Sequence, residues 1–249
     1  MSTFRSKYKK YKRARSASKR YYKSKYKRRY KSIGAKSGSR YGWKGNYAQA
    51  RKAVKGLAEK KFTDTYSSGI SCRQGGQLTL INGISMGSDF NNRVGRKINI
   101  TSVEVTGWFY PGLTCKADRV RMLLVWDQAP NGSLPNTDNI LTDMGGGVTS
   151  FSFMNLNWRE RFRVLAEETF TLGFVLTTAP PNLYPYTLSP AVANFSRYLK
   201  TDLTVEYSGT GDQIGAISTG ALYVLIVGMH AINEGHYCTF NARIRYIDC

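Results

Sequence analysis

The first 61 residues of this 249-residue chain almost lack acidic side chains. They contain 23 Lys and Arg and a single acid, Glu59, whereas the whole chain contains 37 basic and 16 acidic side chains. The net charge of +21 therefore belongs to the N-terminal segment, and the rest of the chain is close to neutral. Such a dense run of like charges, with few apolar residues, cannot pack into a core. We therefore expect residues 1–45 to be a disordered basic arm.

Long apolar runs and paired metal-ligand motifs are also missing. No stretch reaches the roughly 20 apolar residues that cross a bilayer, and no apolar core follows the basic N-terminus, so we predict neither a membrane partner nor secretion. Only two histidines are present, and the cysteines lack C-x-x-C spacing, which favours ordinary thiols over a zinc site. A disulfide formed on assembly stays open as an alternative. The residues concerned are His230, His236, Cys72, Cys115, Cys238 and Cys249.

Signatures of catalysis are equally scarce. There is no G-x-S-x-G motif, and the 145–147 glycine run lacks the Lys and Ser/Thr of a phosphate-binding loop. Glu167 and Glu168 are adjacent on a predicted strand, so they point to opposite faces and cannot act as a pair. Asp127 and Asp138 lie at or beyond a strand end without an assignable partner. We expect no enzymatic activity and no cofactor.

What the arm does contain is cations interleaved with tyrosines. Lys and Arg supply phosphate contacts, and Tyr rings offer faces on which unpaired bases stack, worth roughly 1–3 kcal/mol per base, which favours a single-stranded ligand. The alternative is a tail that serves only as a nuclear-import signal, and Lys9, Lys10, Lys12 and Arg13 with Lys27, Arg28 and Arg29 are the predicted import clusters. The predicted nucleic-acid-binding residues are Arg5, Lys7, Lys9, Lys10, Lys12, Arg13, Arg15, Lys19, Arg20, Tyr21, Tyr22, Lys23, Lys25, Tyr26, Lys27, Arg28, Arg29, Tyr30, Lys31, Lys52, Lys55, Lys60 and Lys61.

A short basic segment, residues 46–61, connects this arm to the rest of the chain. Asn46 is a candidate N-cap, and apolar residues recur at helical spacing after it, so a basic helix is one interpretation. Gly56 interrupts the pattern, and a frayed linker is the other.

From residue 62 onward, apolar and polar residues alternate as they do in β-strands, which predicts a jelly-roll domain over 62–249. A bulge is expected near Thr101–Ser102. The two fully apolar runs, Met122–Trp126 and Ala221–Met229, are typical of central strands covered on both faces. Long loops at 128–160 and 179–196 fit an eight-stranded antiparallel jelly roll better than an immunoglobulin-type sandwich. The eight predicted strands are 62–71, 77–82, 97–110, 122–126, 161–172, 199–207, 221–229 and 239–247.

One of these strands carries a specific prediction about its faces. Within 161–172, the apolar residues fall at every second position and are expected on one face, opposite Arg161, Arg163, Glu167 and Thr169. The members of that apolar face are Phe162, Val164, Ala166, Phe170 and Leu172.

Seven segments of the chain form a pattern of fixed order and spacing: 94–98, 102–107, 121–132, 157–165, 221–225, 238–239 and 242–248. In this pattern the chain resembles the coat proteins of geminiviruses. The resemblance implies a jelly-roll subunit that assembles with copies of itself into an icosahedral shell around circular single-stranded DNA. It also implies import into the host nucleus through receptors that bind the basic arm. The alternatives are a non-viral nucleic-acid-binding protein with a basic tail and an RNA-packaging coat protein like those of satellite viruses.

Overall fold

The computed structural model describes residues 59–112, 116–173, 192–230 and 235–248. The predicted arm and most of the 46–61 segment therefore lie outside the described residues. Within those residues the chain forms nine strands, one short α-helix, α1, Thr137–Ile140, and two 3₁₀ helices, Leu156–Trp158 and Ile214–Ala216. The strands are β1 Lys60–Ser71, β2 Gln77–Leu80, β3 Lys97–Pro111, β4 Asp118–Asp127, β5 Phe162–Leu172, β6 Ala193–Tyr207, β7 Ile217–Thr219, β8 Ala221–Val227 and β9 His236–Asp248.

The strands form two antiparallel sheets. The first sheet has the order β1-β9-β3-β6-β7, and the second has the order β2-β8-β4-β5. Successive strands pass repeatedly from one sheet to the other, and the first and last strands are neighbours. This is a jelly roll, as predicted.

The predicted number of strands is wrong by one. Each of the eight predicted strands is present, and β7 is the additional strand. It has three residues, two of them exposed, so it is too short to show an alternating pattern. Gly220 separates β7 from β8 with φ of +80°. A Cβ there would lie 2.4 Å from the Trp126 ring, so this corner between the sheets requires glycine.

Apolar side chains from both sheets pack between them and form the main core. The central strands of the second sheet, β4 and β8, are also buried on their other side, which confirms the prediction for the two apolar runs. Their outer cover is the long loop at 128–160. Ile140, Leu141 and Val148 from this loop pack on the outward side chains Leu123 and Val125 of β4, and Leu225 and Val227 of β8 complete the cluster.

Two bulges set which side chains reach which core. The register of β3 shifts between Ile100 and Ser102, where the sequence predicts a bulge. In β5, Leu124 pairs with Ala166 but Val125 pairs with Val164, so Leu165 is an extra residue. The prediction of a single apolar face for 161–172 is therefore wrong. Phe162 and Val164 pack in the cluster under the long loop, whereas Ala166, Phe170 and Leu172 belong to the core between the sheets.

Arg93 fixes the loop between β2 and β3 from inside the protein. It is fully buried, and its guanidinium lies 4.0 Å from the centroid of the Tyr207 ring. It donates hydrogen bonds to the carbonyl oxygens of Ile84 and Gly95, both at 2.9 Å, and to that of Gly209. A single side chain thereby connects two loops at the same end of the jelly roll.

Candidate nucleic-acid and assembly surfaces

The two predicted binding residues that the structure describes, Lys60 and Lys61, are in β1 and not in a helix or linker. Lys60 is exposed. Lys61 has a side chain only 2% exposed, and its Nζ lies 3.3 Å from Glu59 Oε2 and 3.9 Å from Asp248 Oδ2. It also donates a hydrogen bond to the carbonyl oxygen of Asn92 at 3.0 Å. The ammonium group of Lys61 is therefore occupied within the domain, and nucleic-acid binding by Lys60 and Lys61 stays a prediction. The predicted residues from Arg5 to Lys55 lie outside the described residues.

The outward surface of the first sheet, here called the open face, carries exposed aromatic side chains among the described residues. Tyr66 and Trp108 stand on it with exposed fractions of 69% and 46%. Strand register places Tyr66 beside Asn241 and Trp108 between Thr239 and Asn194. These side chains line an open groove of about 680 Å³.

Ion pairs neutralise most charges on the rest of the open face. Arg243 donates two hydrogen bonds of 2.7 Å to the carboxylate of Asp64, and this contact lowers the pKa of Asp64. Arg245 binds Glu104 at 2.8 Å. The open face is therefore a neutral surface with exposed rings, not a basic patch.

The long loop is anchored at its base by an ion pair between the end of β4 and the residue before β5. Asp127 is fully buried, and each of its carboxylate oxygens accepts a hydrogen bond of 2.9 Å from Arg161. The contact raises the pKa of Arg161. The backbone N–H of Ala129 donates a further hydrogen bond of 3.1 Å to Asp127. Asp127 had no partner assignable from the sequence, and in the structure its partner lies 34 residues away along the chain.

The glycine run in the long loop encloses a carboxylate from the chain itself. Backbone N–H groups of Gly145, Gly146 and Gly147 donate hydrogen bonds to Asp143 Oδ1 at 2.9, 3.2 and 2.8 Å. These bonds lower the pKa of Asp143. The turn is thus occupied by an internal anion.

Beyond its anchored base, the long loop exposes several large apolar side chains. Phe153 and Leu156 have exposed fractions of 74% and 69%, and Phe151 has 49%. With Arg119 and Arg121 they line an open groove of about 610 Å³ beside β5, the edge strand of the second sheet. An exposed apolar cluster of this kind, next to a sheet edge, is typical of a protein–protein contact surface.

Polar groups are buried near the starts of β4 and β9. His236 is fully buried, and burial is the main cause of its lowered pKa. Cys72 and Cys238 are buried, unpaired thiols, and burial raises the pKa of Cys238 to about 12. In the part of the chain that the structure describes, no group of three or more His, Cys, Asp or Glu side chains is placed to hold a metal ion. Cys115 and Cys249 lie outside it.

Glu167 and Glu168, adjacent on β5, contact different arginines. Glu167 accepts a hydrogen bond from Arg121 at 2.9 Å, and Glu168 lies 3.2 Å from Arg197. The two carboxylates are therefore on opposite faces of the strand, as the alternation predicts. No helix among the described residues has the length and hydropathy of a membrane span.

A jelly roll of two antiparallel sheets is the architecture of many viral capsid subunits. The family model described as "Geminivirus coat protein/nuclear export factor BR1 family" matches residues 3–249, and the chain belongs to this family. It is therefore a capsid protein, a component of the virion. No curated protein matches the sequence.

Solved structures similar to this chain include chains from two viruses. A chain from desmodium yellow mottle tymovirus is 10% identical, with a TM-score of 0.32, and the match covers 77% of this chain and 87% of that one. A chain from turnip yellow mosaic virus is 12% identical, with a TM-score of 0.31, and the match covers 77% of this chain and 93% of that one. At these TM-scores the likeness carries no weight for fold or function.

Proposed function

We propose that this capsid protein assembles into an icosahedral shell and packages circular single-stranded DNA through its basic arm. The observation that carries the proposal is the separation of charge. The residues up to 61 hold 23 of the 37 basic side chains and one acid, and the remainder is nearly neutral. A neutral body allows subunits to approach one another without net repulsion, while the arm needs a polyanion for neutralisation.

The amount of charge matches a genome of modest size. The smallest icosahedral shell has 60 subunits, which would bring about 1,300 positive charges inside it. That number is comparable with the phosphates of a strand of one to a few thousand nucleotides, so packaging and neutralisation are coupled. The exposed apolar residues of the long loop support self-association, because Phe153 and Leu156 lose their contact with water when a second copy covers them.

The test compares full-length protein with a variant in which Lys27, Arg28 and Arg29 are replaced by Gln. Binding of a single-stranded oligonucleotide is measured over a range of salt concentrations. Three lost phosphate contacts should reduce the slope of log K against log salt by about 2. The control variant has Arg at position 27 and Lys at positions 28 and 29. Its charge is unchanged, so the slope should be the same as that of the wild type. An unchanged slope in the Gln variant would contradict phosphate binding by this cluster.

The nature of the cargo is tested on purified particles. Extracted nucleic acid should be degraded by DNase and resist RNase. The opposite result would identify an RNA-packaging coat protein and overturn the DNA assignment.

Import into the host nucleus is the second role proposed for the arm. A fluorescent reporter fused to residues 1–45 should accumulate in nuclei and lose that accumulation when both basic clusters are changed to Gln. The variant that exchanges Lys and Arg should still be imported. Equal distribution of all three reporters would contradict the proposal.

A further inference from the structure

Asparagine is followed by glycine twice in this chain, at Asn82-Gly83 and at Asn131-Gly132. Such a pair is prone to deamidation, because glycine has no side chain to hinder the attack of its backbone nitrogen on the asparagine amide. The two pairs have the same covalent chemistry. Any difference in their reactivity within the folded protein therefore comes from the structure around them.

The first pair is held in the core in a form that cannot react. Asn82 is fully buried. Its Nδ2 donates a hydrogen bond of 2.9 Å to the carbonyl oxygen of Gly220, and its Oδ1 accepts one of 2.9 Å from the backbone N–H of Leu222. Gly83 is packed so closely that a Cβ there would lie 2.0 Å from the carbonyl oxygen of Asp212. The Asn82 amide therefore cannot turn toward the Gly83 nitrogen, and water does not reach it.

The second pair lies near the start of the long loop, where the same groups are free. Asn131 and Gly132 are both exposed, and Gly132 has φ of +84°. A Cβ at Gly132 would meet no atom within 4 Å. Among the described residues, neither Asn131 Nδ2 nor the backbone N–H of Gly132 donates a hydrogen bond. The nitrogen that would attack and the nitrogen that would leave are therefore both unrestrained.

The amide oxygen of Asn131 lies beside a cation. Arg161 Nη2 is 3.5 Å from Asn131 Oδ1, and Ser133 Oγ is 3.3 Å from the same oxygen. A positive charge at this position stabilises the negative charge that develops on the amide oxygen when a nucleophile attacks Cγ. The arginine that anchors the long loop therefore also favours reaction at Asn131.

We propose that Asn131 is a site of spontaneous deamidation in the folded capsid protein. Hydroxide removes the proton from the Gly132 nitrogen, which forms a bond to Asn131 Cγ and closes a succinimide ring. The bond between Cγ and Nδ2 breaks, and this nitrogen takes a proton from water and leaves as ammonia. Water then opens the ring at either carbonyl carbon and gives aspartate or isoaspartate. No step involves oxidation or reduction.

The reaction places a negative charge at the anchor of the long loop. Arg161 Nη2 already donates a hydrogen bond of 2.9 Å to Asp127 Oδ2. The new carboxylate replaces an amide whose oxygen lies 3.5 Å from the same nitrogen, so Arg161 would stand between a buried and an exposed carboxylate. Because the chain after residue 61 is nearly neutral, one added charge per subunit is a large relative change. Subunits of different age therefore differ in charge.

The experiment follows unassembled full-length protein during incubation at mildly alkaline pH. Proteolysis and mass spectrometry should show a mass increase of about 1 Da, which fragmentation locates at position 131, with isoaspartate among the products. Asn82 is the internal control, and its reaction should be more than about 100-fold slower because it requires unfolding of the core. In concentrated urea both sites should react at similar rates, since the structure that distinguishes them is lost.

Two variants of the exposed residue complete the test. Asn131→Asp should elute from an ion-exchange column together with the aspartate form that aged wild type produces. Asn131→Gln has a longer side chain that closes a ring more slowly, so position 131 should stay unchanged over the same time. Equal rates at Asn131 and Asn82 in the folded protein would overturn the proposal. An Asn131 that reacts in urea but not in the folded protein would overturn it as well, because the loop would then protect the amide.

Discussion

Replacing Arg161 with Met should strongly destabilise the domain, because it leaves a buried charge without its partner. Asp127 is fully buried, and both of its oxygens accept hydrogen bonds from Arg161. After the substitution, the hydrogen bond at 3.1 Å from the backbone N–H of Ala129 would remain. Met keeps much of the length and apolar volume of the Arg side chain, so the change removes mainly the charge and the two hydrogen bonds.

The expected loss follows from the burial of the two groups. Breaking a buried ion pair by removing one partner costs roughly 3–5 kcal/mol. The side chain of Arg161 is 15% exposed, so water can partly replace it, and we expect about 3 kcal/mol. For a domain of this size, each kcal/mol lowers the melting temperature by roughly 2–4 °C, so the shift should be about 6–12 °C.

Urea unfolding of unassembled subunits, followed by intrinsic fluorescence, measures this loss directly. Arg159→Met is the matched control, because Arg159 pairs with Glu160 at 3.6 Å with both side chains exposed. It should change stability by no more than about 0.5 kcal/mol. The double variant Asp127→Leu with Arg161→Met should recover much of the loss, since no buried charge remains. The reasoning is refuted if Arg161→Met costs no more than Arg159→Met.

Two further predictions concern other buried groups. Arg93→Met should cost about 3–5 kcal/mol, because three carbonyl oxygens lose a charged donor, whereas the exposed Arg96→Met should be nearly neutral in the same urea assay. Burial lowers the pKa of His236 in the folded domain, and the charge of Asp118 opposes this effect. Below pH 6.5, the ordinary pKa of histidine, the unfolded chain therefore binds more protons than the folded domain does. Stability should fall as the pH drops through that value. Relative to His236→Leu, the wild type should lose up to about 1.4 kcal/mol per pH unit below 6.5, and parallel stability curves for the two proteins would contradict this.

The fold could be predicted from the sequence where periodicity decided it. The apolar runs in β4 and β8 are longer than a half-buried strand allows, so they predict central strands covered on both faces. The bulge near Ser102 was predictable because the apolar residues change there from even-numbered to odd-numbered positions. In both cases the signal lies within a single strand.

Features that depend on pairing between distant segments were not predictable. The buried position of Lys61 results from its contacts with Asn92 and Asp248, which are far away in sequence. In β5, the apolar residues before and after Leu165 all stand at even-numbered positions. The sequence therefore alternates without interruption and does not show the bulge that is visible in the strand register. Tyr66 and Trp108 likewise come together only through the strand order, since β9 places β1 beside β3.

The segments that carry the resemblance to geminivirus coat proteins also have a structural explanation. Asp127 belongs to one of them and Arg161 to another, and their ion pair closes the base of the long loop. Arg121, in the same segment as Asp127, donates hydrogen bonds to Glu167 and to the carbonyl oxygen of Ser152, which attaches the loop to β4 and β5. These motif residues therefore build the subunit by holding a loop whose apolar side chains face outward. Most of the charge that we propose for cargo binding lies before β1, so we expect substitutions in the arm to change cargo binding and leave the stability of the domain unchanged.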